Sequence, residues 1–466
     1  MKLYNTLTRQ VDEIKPLEAG KLKVFVCGPT VYDYIHIGNA KTYTQSDMLV
    51  RFLRYSGYDV TYLVNITDID DKIIKRSIEK NISIDELTSP FITAYNEDMT
   101  KLGNTAVSMY AKATDHVADI IKQVQTLVEK GNAYKIDDGI YFEIATFPDY
   151  GKLSGRHDIQ EDDAQSRIDE SDQKRGWNDF CLWKFSRPGE PTWDAPFGAG
   201  RPGWHIEDTA ITEHFFGPQY DMHGGAVDLI FPHHEAELTQ MEASSGLVPF
   251  VGHWFHVGFL TIDDKRMGKS VGNFYTMREV FEKGYDMATI RLFFMQSHYR
   301  KGLNFSWENL DSARSRINHW RSIAVMRWQT DDDLVDISEN IYANLQAMEL
   351  ALSNDFDTPS ALANIEEVFA MVNNGFPTAS ESSYDSFLKS IDSIFNLRLL
   401  ESTPDAPGEI KSLLTERQLA RDQKDWAKSD ELREELKRHG FAVRDLNTGQ
   451  IWSYVTSVID TEYFCL

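Results

Sequence analysis

The chain has 466 residues, 42% of them hydrophobic, enough to bury a large core and to form about two to four domains of roughly 100–200 residues each. Its 48 Lys and Arg against 72 Asp and Glu give a net charge of −24, which excludes a nonspecific polyanion binder while leaving room for a local basic face. Cys27, Cys181 and Cys465 are odd in number and scattered, which excludes the disulfide framework of a small secreted domain and fits a cytoplasmic setting. With no leader pattern in Met1–Gln10 and no apolar run near ~18 residues, a soluble, unprocessed chain with no membrane partner is expected.

In chain order, Val24-Phe25-Val26-Cys27 is an apolar run that ends in Gly28-Pro29, the pattern of a buried parallel strand stopped by a sharp turn. His36 falls at the start of a helix whose apolar positions include Leu49, Phe52 and Leu53, with Gly57 as its stop, and Val60–Val64 reads as the next strand. In such a unit the strands are parallel and ligands bind beyond their carboxyl ends, so a nucleotide is expected near Cys27 and His36. Residues 1–110 thus form the first half of a Rossmann-like sheet domain.

Residues 111–200 read as an insertion: Asp115-His116 begins a helix, Tyr141–Ile144 is strand-like and Glu161–Arg175 is a polar, flexible loop. The sheet resumes over 201–260, where His223-Gly224-Gly225 leads into Leu229-Ile230-Phe231. Phe259–Ile262 is a strand-like run that crosses into a separate region over 261–310. Helical periodicity then dominates, giving a bundle over 311–403 and a small terminal module over 404–466, with Pro/Ser/Thr breaks at 376–380 and 402–407. The expected class is α/β: a Rossmann-like parallel-sheet domain with an inserted domain, then a helical bundle and a small C-terminal module. There is no internal repeat, and the only low-complexity tract is Asp331-Asp332-Asp333.

Two motifs carry phosphate chemistry. His36 and Asn39 in His36-Ile37-Gly38-Asn39 place side-chain donors at a helix start, with Gly38 allowing close approach, and Lys269 and Ser270 in Arg266-Met267-Gly268-Lys269-Ser270 bring a cation and a hydroxyl from a loop. A plain capping turn and an ordinary charged loop are the alternatives. A third constellation is metal-like. His233 and Glu237, spaced i, i+4, share one helix face, and Cys27 at a strand end can supply a thiolate; a solvated pair and a core cysteine are the alternatives. Cys181 sits in an apolar segment and reads as core. Arg314, Arg316, Arg321 and Arg327, with His319, Trp320 and Trp328, could follow an RNA backbone or form a solvated helix face.

The two phosphate motifs resemble HIGH and KMSKS, the ATP signatures of class I aminoacyl-tRNA synthetases. Five further stretches resemble the cysteinyl-tRNA synthetase family in its order: Cys27–Tyr32, Asn65–Lys72, Tyr150–Arg156, Arg201–Glu207 and Phe231–Glu235. The resemblance spans nearly the whole chain. It implies ATP-dependent ligation of L-cysteine to tRNA(Cys) through a cysteinyl-adenylate, with Mg²⁺ accompanying ATP. It also implies one zinc ion that holds the substrate sulfur, a stem-contact role for the region around the second motif, and a monomer. Carried over residue by residue, His36, Asn39 and Lys269 are catalytic. Gly38, His223, Gly224, Gly225 and Asp228 bind ATP, together with Lys269 and Ser270. Gly28, Thr30, Thr67 and Trp204 line the amino-acid site.

Cys27, Asp208, His233 and Glu237 correspond to the metal ligands, and Asp208 is a departure, because the family's usual residue there is cysteine. Formal charge is unchanged, but a soft sulfur becomes a hard oxygen, with a shorter bond to zinc of about 2.0–2.2 Å against about 2.3 Å. Asn39 for the final His of HIGH, and Arg266 and Gly268 within KMSKS, also depart. The segment Glu416–Arg438 with Gly440 and Trp452 resembles the family's anticodon-binding module. The alternatives are a paralogue that activates another small amino acid or transfers cysteine to a small amine, and a catalytically dead RNA-binding derivative.

Overall fold

The computed structural model describes residues 1–156, 171–203, 205–268, 272–329, 337–374, 381–446 and 449–455. Two compact units divide the chain: residues 1–278 with 299–303, and residues 279–298 with 304–466.

In the first unit a short hairpin, β1 (Lys2–Asn5) and β2 (Gln10–Glu13), precedes β3 (Lys21–Val26), α1 (Ile37–Tyr55) and β4 (Asp59–Ile66). Helices α2 (Asp71–Lys80) and α3 (Ile84–Lys101) lead to β5 (Met109–Lys112). Val24, Phe25 and Val26 are fully buried, as expected of a strand covered on both faces of a parallel sheet. The expected strand-helix-strand unit is present in the expected order.

Beyond β5, α4 (Val117–Glu129) is followed by β6 (Ala133–Ile136), β7 (Gly139–Phe142), β8 (Phe180–Phe185) and β9 (Gly200–Pro202). These four strands form an antiparallel sheet of their own. The apolar stripe of α4 (Val117, Ile120, Val124, Leu127) packs on that sheet and on Ile206, Ala210 and Ala236. Cys181 is buried beside Tyr134 and Tyr141, in agreement with its reading as core. Most of the polar loop read over 161–175 lies outside the described residues.

The parallel sheet is then completed. α5 (Ile206–Phe216), β10 (Tyr220–Ala226), α6 (Glu235–Ser245) and β11 (Val251–Val257) follow, and the order across the sheet is β11-β10-β3-β4-β5, all parallel. From β3 the chain first builds outward to β4 and β5, and then places β10 and β11 on the other side. The order therefore reverses between β3 and β10, and such a switch point opens a crevice at the strands' carboxyl ends. One expectation is corrected here. The strand is Tyr220–Ala226 itself, with both glycines inside it, whereas Leu229 and Ile230 lie in short helical turns and Phe231 is an extended residue at the kink that leads to α6. A Cβ on Gly224 would lie 2.1 Å from the Phe255 ring, so glycine lets this strand pack closely against β11.

Helix α1 is buried around most of its circumference and carries polar residues inward. Three of them, Lys41, Thr44 and Asp47, tie the helix to the rest of the unit. Asp47 Oδ1 accepts from the Ala106 N–H at 2.7 Å, and Asn104 Nδ2 donates to Thr44 Oγ1 at 3.1 Å. Lys41 Nζ donates to the Gly258 carbonyl at 2.8 Å, and burial lowers the Lys41 pKa to about 7.

The second unit is mainly helical, with helices at Met287–Met295, Trp307–Ala324, Ser338–Ser353, Thr358–Asn374 and Glu381–Phe395. Two more, Gly408–Asp422 and Trp426–Arg438, are followed by the hairpin Phe441–Leu446 and Gly449–Tyr454. The arginine-tryptophan run read as an RNA path or a solvated face is divided: Trp320, Arg321 and Arg327 are buried, Arg314, Arg316 and Trp328 are half-buried, and His319 is exposed. Trp320 is fully buried and donates to Glu366 Oε1 at 2.7 Å, and Arg316 donates to the same oxygen at 2.6 Å. Arg321, buried, pairs with Asp286. Arg327 Nη2 donates to the carbonyls of Leu400 at 2.9 Å and Thr403 at 2.8 Å, which pins the expected linker at 402–407. Neighbouring segments supply carboxylates and carbonyls that no sequence window contains. The break read at 376–380 lies outside the described residues.

In the terminal module, Arg417 is fully buried and grips Asp445 through two nitrogens, at 2.8 and 3.0 Å, while Arg421 and Arg433 reach the same carboxylate. The Arg417 hydrogen bond comes first among the causes that hold the Asp445 pKa below the ordinary carboxylate range. A folded-state pKa below the unfolded value of about 3.9 gives stability that is present above that value and lost as pH falls through the folded one. Asp445→Asn is therefore expected to cost about 1.5–3 kcal/mol at neutral pH and to flatten the acid limb of the unfolding curve. Urea titrations at neutral and acidic pH measure both effects.

Candidate active site

The crevice at the β3/β10 switch point is a cleft of about 470 Å³ lined by Cys27, His36, Asn39, His233, Arg266 and Met267, among others. It therefore joins both phosphate motifs to the metal-like residues.

His36 is the N-cap of α1. Its Nδ1 accepts from the Asn39 N–H at 3.1 Å, and its own N–H donates to Asn39 Oδ1 at 3.3 Å. The capping turn, read from sequence as the plain alternative, is thus real, and it stands in the cleft wall. Because Asn39 uses its amide oxygen on the cap, the Nδ2 group is the donor it can offer to a ligand. The chain after the second motif returns to this turn. Ile37 N–H donates to the Tyr275 carbonyl at 3.1 Å, Met277 N–H donates to the Ile35 carbonyl at 3.0 Å, and the Phe274 ring stands edge-on to His36 at 5.4 Å. Asn273 closes the motif's own loop, accepting from the Gly268 N–H at 2.9 Å and donating to the Arg266 carbonyl at 3.2 Å. Lys269, Ser270 and Trp204 lie outside the described residues.

At the floor, four groups converge from four elements: Cys27 from the end of β3, Asp208 from the first turn of α5, His233 from the turn before α6, and Glu237 from α6. His233 Nε2 lies 3.4 Å from Cys27 Sγ, 3.1 Å from Asp208 Oδ2 and 3.1 Å from Glu237 Oε1. Metal–ligand bonds of about 2.0–2.3 Å at tetrahedral angles put neighbouring ligand atoms about 3.3–3.5 Å apart, so these separations are close to the edges of a tetrahedral site. The charge balance points the same way. Both Glu237 oxygens are buried without a well-formed hydrogen bond. Burial pushes the Glu237 carboxyl well up, Asp208 and Glu207 add to the shift, and burial likewise raises the Cys27 thiol. Buried acids with no positive partner are costly; a divalent cation is the partner this donor set fits.

Within the supporting shell, Asn65, His205 and Glu207 were given no role from sequence. Asn65 Oδ1 accepts from the Gly28 N–H at 2.6 Å while its Nδ2 donates to Asp208 Oδ1, so one amide links the β3 turn to Asp208. Thr67, a cleft residue, donates to Glu207 Oε1 at 2.7 Å. His205 meets His233 Nδ1 through its own Nδ1 and sits at a φ of +82°, an uncommon backbone state for a side chain of this size. It orients His233 so that Nε2 faces the other three groups. Asn65, His205 and Glu207 all fall inside motif stretches, but nothing in their spacing shows what they touch.

The remaining site residues divide between the cleft and the core behind it. Gly28, Thr30, Gly38 and Asp228 line the cleft, as does Thr67. His223 is fully buried behind Glu237, its Nε2 3.4 Å from Glu237 Oε2 and its Nδ1 2.6 Å from the Tyr220 hydroxyl. Gly224 and Gly225 face Phe255 and His234. These three therefore support the metal-like cluster and the strand, and Asp228 is the member of that segment on the cleft. The Tyr150–Arg156 motif cradles Glu235, which accepts from the Gly151 N–H at 3.0 Å and the Ser154 N–H at 2.7 Å.

Residues 13–315 match the family described as tRNA synthetases class I (C) catalytic domain, and residues 403–452 match the cysteinyl-tRNA ligase anticodon binding domain. Among curated relatives, the cysteine–tRNA ligase of Legionella pneumophila is 42% identical over 464 residues, covering 97% of this chain and 99% of the relative. That of Thermoplasma acidophilum is 40% identical over 456 residues, covering 97% and 100%. Among solved structures, methionyl-tRNA synthetase of Mycobacterium tuberculosis in complex with methionyl-adenylate superposes with a TM-score of 0.60 at 14% identity, over 84% of this chain and 95% of that one. The last likeness shows the fold alone. Matches of this identity across nearly the full length, over a parallel sheet with its cleft at the switch point, mean that the chain belongs to the cysteine–tRNA ligase family of class I tRNA synthetases.

Proposed function

We propose that this enzyme ligates L-cysteine to tRNA(Cys) in two steps within the cleft. In the first, the cysteine carboxylate attacks the α-phosphate of ATP, and the α–β phosphoanhydride bond breaks to give cysteinyl-adenylate and pyrophosphate, which leaves with Mg²⁺. In the second, a ribose hydroxyl of the tRNA's terminal adenosine attacks the acyl carbon and AMP departs. The observation that carries this reading is that one cleft holds the His36–Asn39 turn and Arg266-Met267 at its walls and Cys27 and His233 at its floor, with Asp208 and Glu237 buried against them.

The chain's own residues position and stabilise. His36 and the Asn39 amide stand at the N-terminus of α1, where backbone N–H groups favour phosphate oxygens. Lys269 is assigned the cation for the same oxygens, with Ser270 beside it. Gly28, Thr30, Thr67 and Trp204 enclose the amino acid, and Asp228 is left to hold the ribose. Cys27, Asp208, His233 and Glu237 would hold zinc. When bound, zinc supplies a direct metal–sulfur contact to the substrate side chain, which separates cysteine from serine far better than an apolar pocket can. The match of residues 403–452 to an anticodon-binding domain supports tRNA as the acceptor over a small amine.

Amino-acid-dependent exchange of pyrophosphate into ATP tests the reading, with cysteine and serine compared and zinc quantified in the same preparation. Exchange with cysteine alone and about one zinc in the cluster, as a four-ligand site requires, supports it. Strong exchange with serine, or none with either, overturns it. His205→Ala, which removes the group orienting His233, is expected to weaken zinc binding about 10–100-fold while the exchange reaction recovers in excess zinc; a chelator-competition titration measures the loss.

A further inference from the structure

A second group of metal-ligating side chains lies on α4 and α5. His116 ends the short turn Ala113–His116 that leads into α4, Asp119 is in the first turn of α4, and His214 is in the last turn of α5. Both imidazoles aim Nδ1 at one carboxylate oxygen: His116 Nδ1 and His214 Nδ1 each lie 3.1 Å from Asp119 Oδ2. The ligand atoms of all three residues fall within 4.8 Å of one another. The two rings meet edge-on at 4.8 Å, with Phe215 against both.

We propose that His116, Asp119 and His214 form a binding site for a divalent transition ion, of which zinc is the probe. Bonds of about 2.0–2.2 Å from zinc to nitrogen and oxygen give tetrahedral edges of about 3.3 Å, and the two nitrogen–oxygen separations are close to that value. Two imidazoles and a carboxylate are the donors that favour zinc, nickel or copper; magnesium and calcium prefer all-oxygen sites. The side chains of Asp119 and His214 are 35% and 47% exposed, so an ion can enter from solvent and complete its coordination with water. Without the ion, the same spacing lets each ring donate from an Nδ1–H to the one carboxylate, and binding moves each ring to its Nε2–H tautomer, which frees both Nδ1 lone pairs and the carboxylate oxygen for the cation. The ion clips the start of α4 to the end of α5, where Gln123 Nε2 already donates to Glu213 Oε2 at 2.9 Å and Thr209 Oγ1 to Gln123 Oε1 at 2.6 Å. Because the first turn of α5 carries Glu207 and Asp208, the clip stiffens the helix that feeds the active site.

The test uses the full chain, freed of metal with a chelator and titrated with zinc at neutral pH. His214→Ala and Asp119→Asn are each expected to bind about one equivalent fewer than the wild type, and to lose the part of the zinc-dependent rise in melting temperature that this site supplies. Both should keep cysteine-dependent pyrophosphate exchange. The difference between wild type and variant holds whether or not the cleft cluster takes up zinc, so this proposal and the proposed function fail independently. Asp119→Asn keeps the shape and a hydrogen-bond acceptor, and decides the matter if His214→Ala folds poorly. Equal zinc uptake and equal thermal shifts in the wild type and Asp119→Asn overturn the proposal.

Discussion

Asp208→Asn is expected to lower zinc affinity by at least about 100-fold, more than loss of a supporting residue does, and to reduce cysteine-dependent exchange in parallel. Asparagine keeps the size of the side chain and an acceptor for Asn65 Nδ2, so the change removes the negative charge and little else. The oxygen in question lies 3.1 Å from His233 Nε2 and is fully buried, where a neutral amide is a poor substitute for a carboxylate facing a divalent ion. Asp208→Cys, which installs the residue the family usually carries, is expected to keep both zinc and exchange, because total ligand charge is unchanged and a sulfur donor suits zinc. Equilibrium zinc binding and exchange kinetics on the three proteins measure this. Full zinc retention by Asp208→Asn would remove Asp208 from the ligand set.

Gly28→Ala tests the other end of the same bridge. A Cβ on Gly28 would lie 1.7 Å from the Asn65 carbonyl oxygen and 3.0 Å from a Val64 methyl, and both neighbours belong to β4, where backbone has little freedom to yield. The strain falls on the turn that carries Cys27 and on the amide that holds Asp208, so the cluster's geometry is displaced as well as its stability. A cost of about 3 kcal/mol in stability is expected, with at least a 100-fold drop in kcat/KM for cysteine activation, since displacements of about 1 Å cost that much. Gly408→Ala is the control: it opens a helix and its Cβ meets nothing within 4 Å. Urea unfolding and exchange kinetics read the two effects, and wild-type kinetics in Gly28→Ala would show that the turn relaxes without moving Cys27.

The sheet and its crevice were readable because they depend on local signals. Val24-Phe25-Val26 is apolar on both faces, His36 and Asn39 can close a capping box within four residues, and a strand-helix-strand unit has one hand and one ligand-binding end. The arginine-tryptophan run was undecidable from sequence for the opposite reason. Whether Arg321 faces RNA, water or Asp286 depends on a carboxylate 35 residues away, and the composition of a helix cannot show that. His223 belongs to the same class, since a histidine beside two glycines looks like a nucleotide loop until the neighbouring helix is seen to place Glu237 against it.

The sequence by itself determined the fold class, the family, the phosphate motifs and the Asp208 departure, because residue identity, order and short-range spacing carry all of these. The tertiary structure decided what each residue touches: that His205 orients His233, that one asparagine ties Gly28 to Asp208, and that His116, Asp119 and His214 meet. Those contacts join elements up to about 140 residues apart in the chain, between Asn65 and Asp208, and such pairings are set by the packing of helices on the sheet, to which spacing along the chain is blind.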